Sequence, residues 1–186
     1  MSEAHPFEGF VRQYQDLVYS TALRLLAQPA EAEDVAQEVF LRAYQHFDQL
    51  RASPSAGAWL RTVATRLALN HLTRYRRRWM FFSEFTETED DDGASGSPQF
   101  ADARDAGAAS EQADRHEIVH RALLTLPDHQ RVPLVLYHLE GCSYEEIARH
   151  LGVSLGKVKT DIHRAREALR RKLRLHFGNE LEEFNP

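Results

Sequence analysis

Along the first third of the chain, apolar side chains return every three or four residues: Phe7, Phe10, Val11, Tyr14, Leu17, Val18, Leu25 and Leu26. That spacing puts them on one face of a helix and predicts an amphipathic element over this stretch. Pro29 interrupts it, and Glu31, Glu33 and Asp34 then offer negative charge to the first turn of a second helix, which is expected to run to about Phe47. Ser53, Pro54, Ser55 and Gly57 mark a turn. Beyond it Trp59, Leu60, Val63, Ala64, Leu67 and Leu72 stripe a third helix that continues through Tyr75 and the arginines to Trp79.

Periodicity stops over 83–110, where Glu, Asp, Gly, Ala and Ser prevail and Asp90, Asp91 and Asp92 stand in a row. It resumes near Glu111 with Ile118, Val119, Ala122, Leu123 and Leu126 ahead of Pro127. Four helices fit the remainder, one ending at Leu126 and others over 128–139, 143–151 and 154 to about 176. Period-two alternation never lasts long enough for a sheet. The expected fold is therefore all-α, with small helical domains at 1–82 and 111–178, a flexible acidic linker at 83–110 and an acidic tail at 179–186.

Dividing the charge along the chain changes its meaning. The total is −5, but residues 83–117 hold eleven acids and two bases, which leaves the rest at +4. The positive charge gathers at 74–78 and 157–174, so the acidic total conceals two basic patches.

The densest local signal lies in the fourth quarter. Ser143 followed three residues later by Glu146 is a capping box, which starts a helix whose inner face is Ile147, Ala148 and Leu151. Gly152 supplies the freedom for a sharp turn, and Ser154 can cap a second helix with Val158, Ile162, Ala165 and Leu169 inward. Two helices across a tight turn make a helix-turn-helix. The outer face of the second carries Lys157, Lys159, Thr160, His163, Arg164 and Arg166, side chains suited to phosphates and base edges in a major groove. A solvated basic helix is the plainer alternative; the cap, turn glycine and basic face together favour DNA.

Other chemistries find little support. The single cysteine, Cys142, has no internal disulfide partner and points to a reducing, cytoplasmic setting. The polar start at 1–6 lacks a leader pattern, and no apolar run reaches the roughly 18 residues of a membrane span, so membrane insertion is not expected. The sequence shows no Gly-rich phosphate loop, no H-E-x-x-H and no nucleophile elbow. His138 and Cys142 alone make a poor metal site, so neither a metal nor a cofactor is expected and Cys142 is read as a packing residue. The tight cluster of Arg74, Arg76, Arg77 and Arg78 with Tyr75 and Trp79 offers phosphate neutralisation beside aromatic faces on which an unpaired base can stack, or simply a charged surface.

With these motifs in view, the chain resembles the extracytoplasmic-function, or group-four, sigma factors of bacterial RNA polymerase. AEDVAQEVFLRAY at 32–44 looks like sigma region two, whose helix docks on a coiled coil of the polymerase largest subunit. The resemblance assigns that role to Asp34, Gln37, Glu38 and Leu41, with Phe40 completing the motif. AWLRTVATRLALNHLTRYRRR at 58–78 is similar to the family's reader of the minus-ten element. Carried over, the minus-ten contacts are Arg51, Ser53, Trp59, Arg66, Asn70, His71, Arg74, Arg76 and Arg77, with the turn at 51–56 and the start of the third helix building a pocket for an extruded base. LPDHQR at 126–131, GCSYEEIA at 141–148 and HRAR at 163–166 look like region four, which reads the minus-thirty-five element and touches the polymerase flap. Here that set is Ser154, Lys157, Lys159, Thr160, His163, Arg164 and Arg166.

The resemblance implies a non-enzymatic initiation factor whose partners are core RNA polymerase, promoter DNA and an anti-sigma factor. It also sends the acidic linker through the polymerase toward the active-site cleft and RNA exit path, with a plain solubilising tether as the alternative. Two positions depart from the family pattern. Arg66 stands where many relatives have Asn. Asp161 stands where Arg is common, and an acid on that face is expected to repel phosphate or to accept a hydrogen bond from a cytosine amino group. A stand-alone helix-turn-helix regulator with a sensing or dimerising first lobe is the competing class.

Overall fold

The computed structural model describes the backbone of residues 6–83 and 111–177, and the side chains of 6–73 and 117–174. Every regular element among the described residues is helical. The chain divides into two units, Met1–Asp91 and Asp92–Pro186. The expected linker at 83–110 lies outside the described residues except for Ser83, which is the last residue of a helix instead, and the expected tail at 179–186 lies wholly outside them.

The first unit contains α1 (Pro6–Leu26), α2 (Pro29–Gln45), the single turn α3 (Phe47–Leu50) and α4 (Ala56–Ser83). Helices α1, α2 and α4 pack on one another around Val18, Ala22, Leu25, Ala32, Val39, Ala43, Leu60, Ala64 and Ala68, all fully buried. Alanines at these crossings let the helix axes approach closely, while each fully buried Leu or Val contributes about 1.5–3 kcal/mol. Pro29 occupies the first turn of α2, where its missing N–H removes no helix hydrogen bond. Ahead of it, Ala27 adopts a left-handed conformation (φ 56°) that closes α1 through its N–H to the Leu23 carbonyl at 2.8 Å.

Two boundaries differ from expectation. Helix α2 stops at Gln45 rather than Phe47, because the chain bends at His46 to carry the Phe47 ring onto Phe7 and Phe10, with centroids 5.1 and 5.6 Å apart. Helix α4 begins at Ala56, so Gly57 is helical rather than part of the turn. A β-carbon on Gly57 would sit 3.3 Å from the Tyr14 ring, so the residue serves the close α1–α4 approach.

The second unit contains α5 (Glu111–Leu124), α6 (Asp128–His138), α7 (Tyr144–Leu151) and α8 (Leu155–Phe177). Helix α8 runs against all three of the others. Its Val158, Ile162 and Ala165 are buried, together with Leu136 and Val135 of α6 and Ile147 of α7. Leu169, expected to join this inner row, is half-buried. At the start of α6, Arg131 is 2% exposed and donates to the Leu126 carbonyl at 2.8 Å and the Asp128 carboxylate at 2.6 Å. Burial pulls its pKa down against the opposing pull of Asp128. The arginine of LPDHQR thus ties the α5–α6 connection to the helix that follows.

Candidate nucleic-acid interface and docking face

Helix α7 begins as its sequence requires. The Ser143 hydroxyl accepts from the Glu146 N–H at 3.2 Å, and the Glu146 carboxylate accepts from the Ser143 N–H at 2.8 Å and its hydroxyl at 2.9 Å. These bonds to Ser143 hold the Glu146 carboxyl below its ordinary pKa. Gly152 is left-handed (φ 66°, ψ 33°), and the Val153 N–H returns to the Ala148 carbonyl at 3.1 Å. Ser154 then accepts from the Lys157 N–H at 3.2 Å and opens α8. Ile147 is fully buried on the inner face, whereas Ala148 and Leu151 are half-buried.

On the outer surface of α8, Ser154, Lys157, Lys159, Thr160, His163, Arg164 and Arg166 are all exposed, but they are not equivalent. Thr160 donates to the Gly156 carbonyl of its own helix at 3.0 Å. Arg166 donates through Nε and Nη2 to the Nε2 of His138, at 3.1 and 3.0 Å, and its guanidinium lies 5.6 Å from the centre of the Tyr137 ring. Helical spacing carries no sign of this α6–α8 bracket, since its partners lie 28 residues apart. Burial first, then the Arg166 charge, lowers the pKa of His138, which keeps its imidazole neutral and able to accept.

Asp161 is buried, at 4% exposure, with its carboxylate against the Lys157 ammonium at 3.1 Å. Its acid is therefore not displayed to a groove, contrary to the expectation that it would meet phosphate or a base edge. The i,i+4 spacing of Lys157 and Asp161 is the signal that was legible in advance.

In the first unit, Asp34, Gln37 and Leu41 are exposed on α2, while Glu38 is half-buried and accepts from Arg42 at 2.9 Å. Leu41 (63% exposed) and Tyr44 (58%) are the most exposed large apolar side chains among the described residues. With Gln37 and Phe40 they line one wall of an open groove, and Val11, Gln15 and Tyr19 of α1 line the other. Asp34 stands outside the groove lining, so the four expected docking residues share a helix face without sharing one pocket.

Of the minus-ten set, Arg51 is exposed and pairs loosely with Asp48 at 3.6 Å. Ser53 organises the turn, its hydroxyl 2.9 Å from that of Ser55 and accepting from the Ser55 N–H at 3.3 Å. Trp59 is half-buried with its ring edge-on to His46, 5.9 Å between centroids. Arg66 and Asn70 are exposed one turn apart on α4. His71 turns inward instead, its Nδ1 3.5 Å from the Glu31 carboxylate of α2. Arg74, Arg76 and Arg77 belong to the helical backbone of α4, and their side chains lie outside the described residues.

Among the described residues no group of three or more His, Cys, Asp or Glu is placed to hold a metal ion. No described helix is long and apolar enough to cross a membrane. Burial, reinforced by Glu146 and Glu140, raises the pKa of the Cys142 thiol, the opposite of what a nucleophile needs.

Family models for sigma-70 region 2 and sigma-70 region 4 match residues 10–78 and 116–169. The chain is 33% identical over 172 residues to ECF RNA polymerase sigma factor SigW of Bacillus subtilis, covering 90% of this chain and 89% of that one. It is 33% identical to RNA polymerase sigma-H factor of Pseudomonas aeruginosa over 90% and 86% of the two chains. It is 30% identical to ECF RNA polymerase sigma-E factor of Escherichia coli, again over 90% and 86%. Two unrelated motifs in the right order, each carried by its own helical unit and matched across nine-tenths of the chain, identify the protein: it belongs to the extracytoplasmic-function RNA polymerase sigma factors, which direct core polymerase to promoters.

Proposed function

We propose that the two units divide promoter recognition, the first reading and opening the minus-ten element and the second reading the minus-thirty-five element, while α2 fastens the chain to the coiled coil of the largest polymerase subunit. The observation that carries this division is the second unit's geometry. A capped α7 and a left-handed Gly152 present α8 with Lys159, His163 and Arg164 outward, cations and donors free to meet a duplex. In the first unit, Arg51, Ser53, Trp59, Arg66 and Asn70 supply the minus-ten contacts, with Arg74, Arg76 and Arg77 beside them. His71 completes the set from behind, its ring near Glu31 of α2.

Extrusion of a base costs a few kcal/mol, offset by contacts in the turn at 51–56 and by stacking. Polymerase performs the phosphoryl transfer, and this chain contributes address and strand capture without a reaction of its own. The setting is the cytoplasm, the flap is the second polymerase contact, and an anti-sigma factor restrains the free chain.

Run-off transcription from genomic promoter fragments with purified core polymerase tests the reading. Specific transcripts dependent on this chain are expected; their absence, with operator-like binding by the chain alone, would identify a stand-alone regulator instead. Asp34→Lys with Glu38→Lys is expected to weaken core binding at least tenfold and leave the helical circular dichroism unchanged, since neither side chain supports the core. Unaltered core affinity would remove α2 from the docking face.

A further inference from the structure

Asp161 is an acid in the middle of a DNA-facing helix, and its burial leaves it with a partner rather than a ligand. The carboxylate meets the Lys157 ammonium through both oxygens, Oδ2 at 3.1 Å and Oδ1 at 3.3 Å. The two ends of the pair differ sharply in environment, Lys157 being half exposed and Asp161 almost wholly enclosed. An exposed pair exchanges partners freely because water replaces either one. A buried carboxylate has no such substitute, so separating it from its cation leaves an uncompensated charge in the protein. Lys157 is consequently held at the carboxylate when DNA approaches. Lys159, His163 and Arg164 carry no comparable internal partner among the described interactions.

We propose that Asp161 is a positioning residue that withdraws Lys157 from the phosphate-neutralising set, leaving the electrostatic grip of α8 to Lys159 and Arg164. The inference rests on the assignment of α8 to the minus-thirty-five duplex. It adds that one lysine of that surface, placed by sequence in the minus-thirty-five set, is neutralised from within the protein. Its benefit is discrimination: affinity that comes from phosphate is blind to sequence, so cancelling one such charge raises the share contributed by base edges.

The measurement is the salt dependence of promoter binding by the full-length chain in complex with core polymerase, on a duplex selected in the run-off assay. Each neutralised phosphate adds about 0.9 to the slope of log K against log salt. Lys159→Ala is expected to flatten the slope by about 0.9, and Lys157→Gln to leave it unchanged. Asp161→Asn, which frees Lys157, is expected to steepen the slope by about 0.9 and to raise affinity for cognate and scrambled minus-thirty-five sequences alike.

Should either single change unsettle α8, the double variant Lys157→Gln with Asp161→Asn removes the pair without leaving a buried charge, and its slope is expected to match the parent. Flattening in Lys157→Gln or in the double variant to the extent seen with Lys159→Ala overturns the proposal, as does an unchanged slope in a folded Asp161→Asn. If Lys159→Ala and Arg164→Ala also leave the slope unchanged while transcription still depends on the chain, the assignment of α8 to DNA fails and the proposal falls with it.

Discussion

Arg131 shows how much of this protein's chemistry is structural. Its guanidinium is enclosed, so each of its hydrogen bonds matters more than a surface bond would. Removing its half-exposed partner through Asp128→Ala leaves a buried cation with less compensation. The expected loss is about 1.5–3 kcal/mol of unfolding free energy, measurable by urea denaturation followed by circular dichroism. A change below about 0.5 kcal/mol, the level of an ordinary surface substitution, would show that other contacts satisfy Arg131. Glu146 and His138 set the acid response of the same unit. Glu146 has its folded pKa depressed below 4.5, so its contribution is complete above that value and is lost as the pH falls through the folded one. His138 is a base depressed below 6.5: it protonates more readily when unfolded, so its contribution is complete above 6.5 and shrinks as the pH drops toward the folded value. Hydrogen exchange of α8 amides is therefore expected to quicken as the pH is lowered from 7 toward 5.5, after correction for intrinsic rates, and His138→Gln is expected to blunt that response. Equal acceleration in both proteins would separate the bracket from His138 titration.

Among the elements, α7 and the start of α8 were legible almost residue by residue because their determinants are local: a serine and glutamate three apart, a glycine, then another serine. Gly152 offers a sharp test of that locality. No atom lies within 4 Å of where its β-carbon would stand, so Gly152→Ala meets only the left-handed backbone penalty, about 1–2 kcal/mol. Gly152→Asn is expected to cost clearly less, because asparagine tolerates this conformation, and thermal melts of the two variants distinguish them. Equal losses would mean that something other than backbone conformation is at work. Where the determinants are distant, the pattern was silent. The end of α2 is fixed by Phe47 finding Phe7 and Phe10 some forty residues earlier, and Gly57 serves a contact with Tyr14 on another helix. The same holds within the candidate sites. Exposure of Lys159, His163 and Arg164 follows from helical spacing, while the inward turns of His71 and Asp161 and the reach of Arg166 to His138 depend on which neighbours the fold supplies.

At the scale of the whole molecule, the chain has two independently cored units, and the first carries an open apolar surface apart from the residues proposed to meet the promoter. That surface is the groove between α1 and α2 with Leu41 and Tyr44 at its rim. Leu41→Ser is expected to leave stability within about 0.5 kcal/mol, as for other exposed positions, yet to weaken core-polymerase binding measurably in a competition assay. Wild-type affinity would exclude Leu41 from the interface.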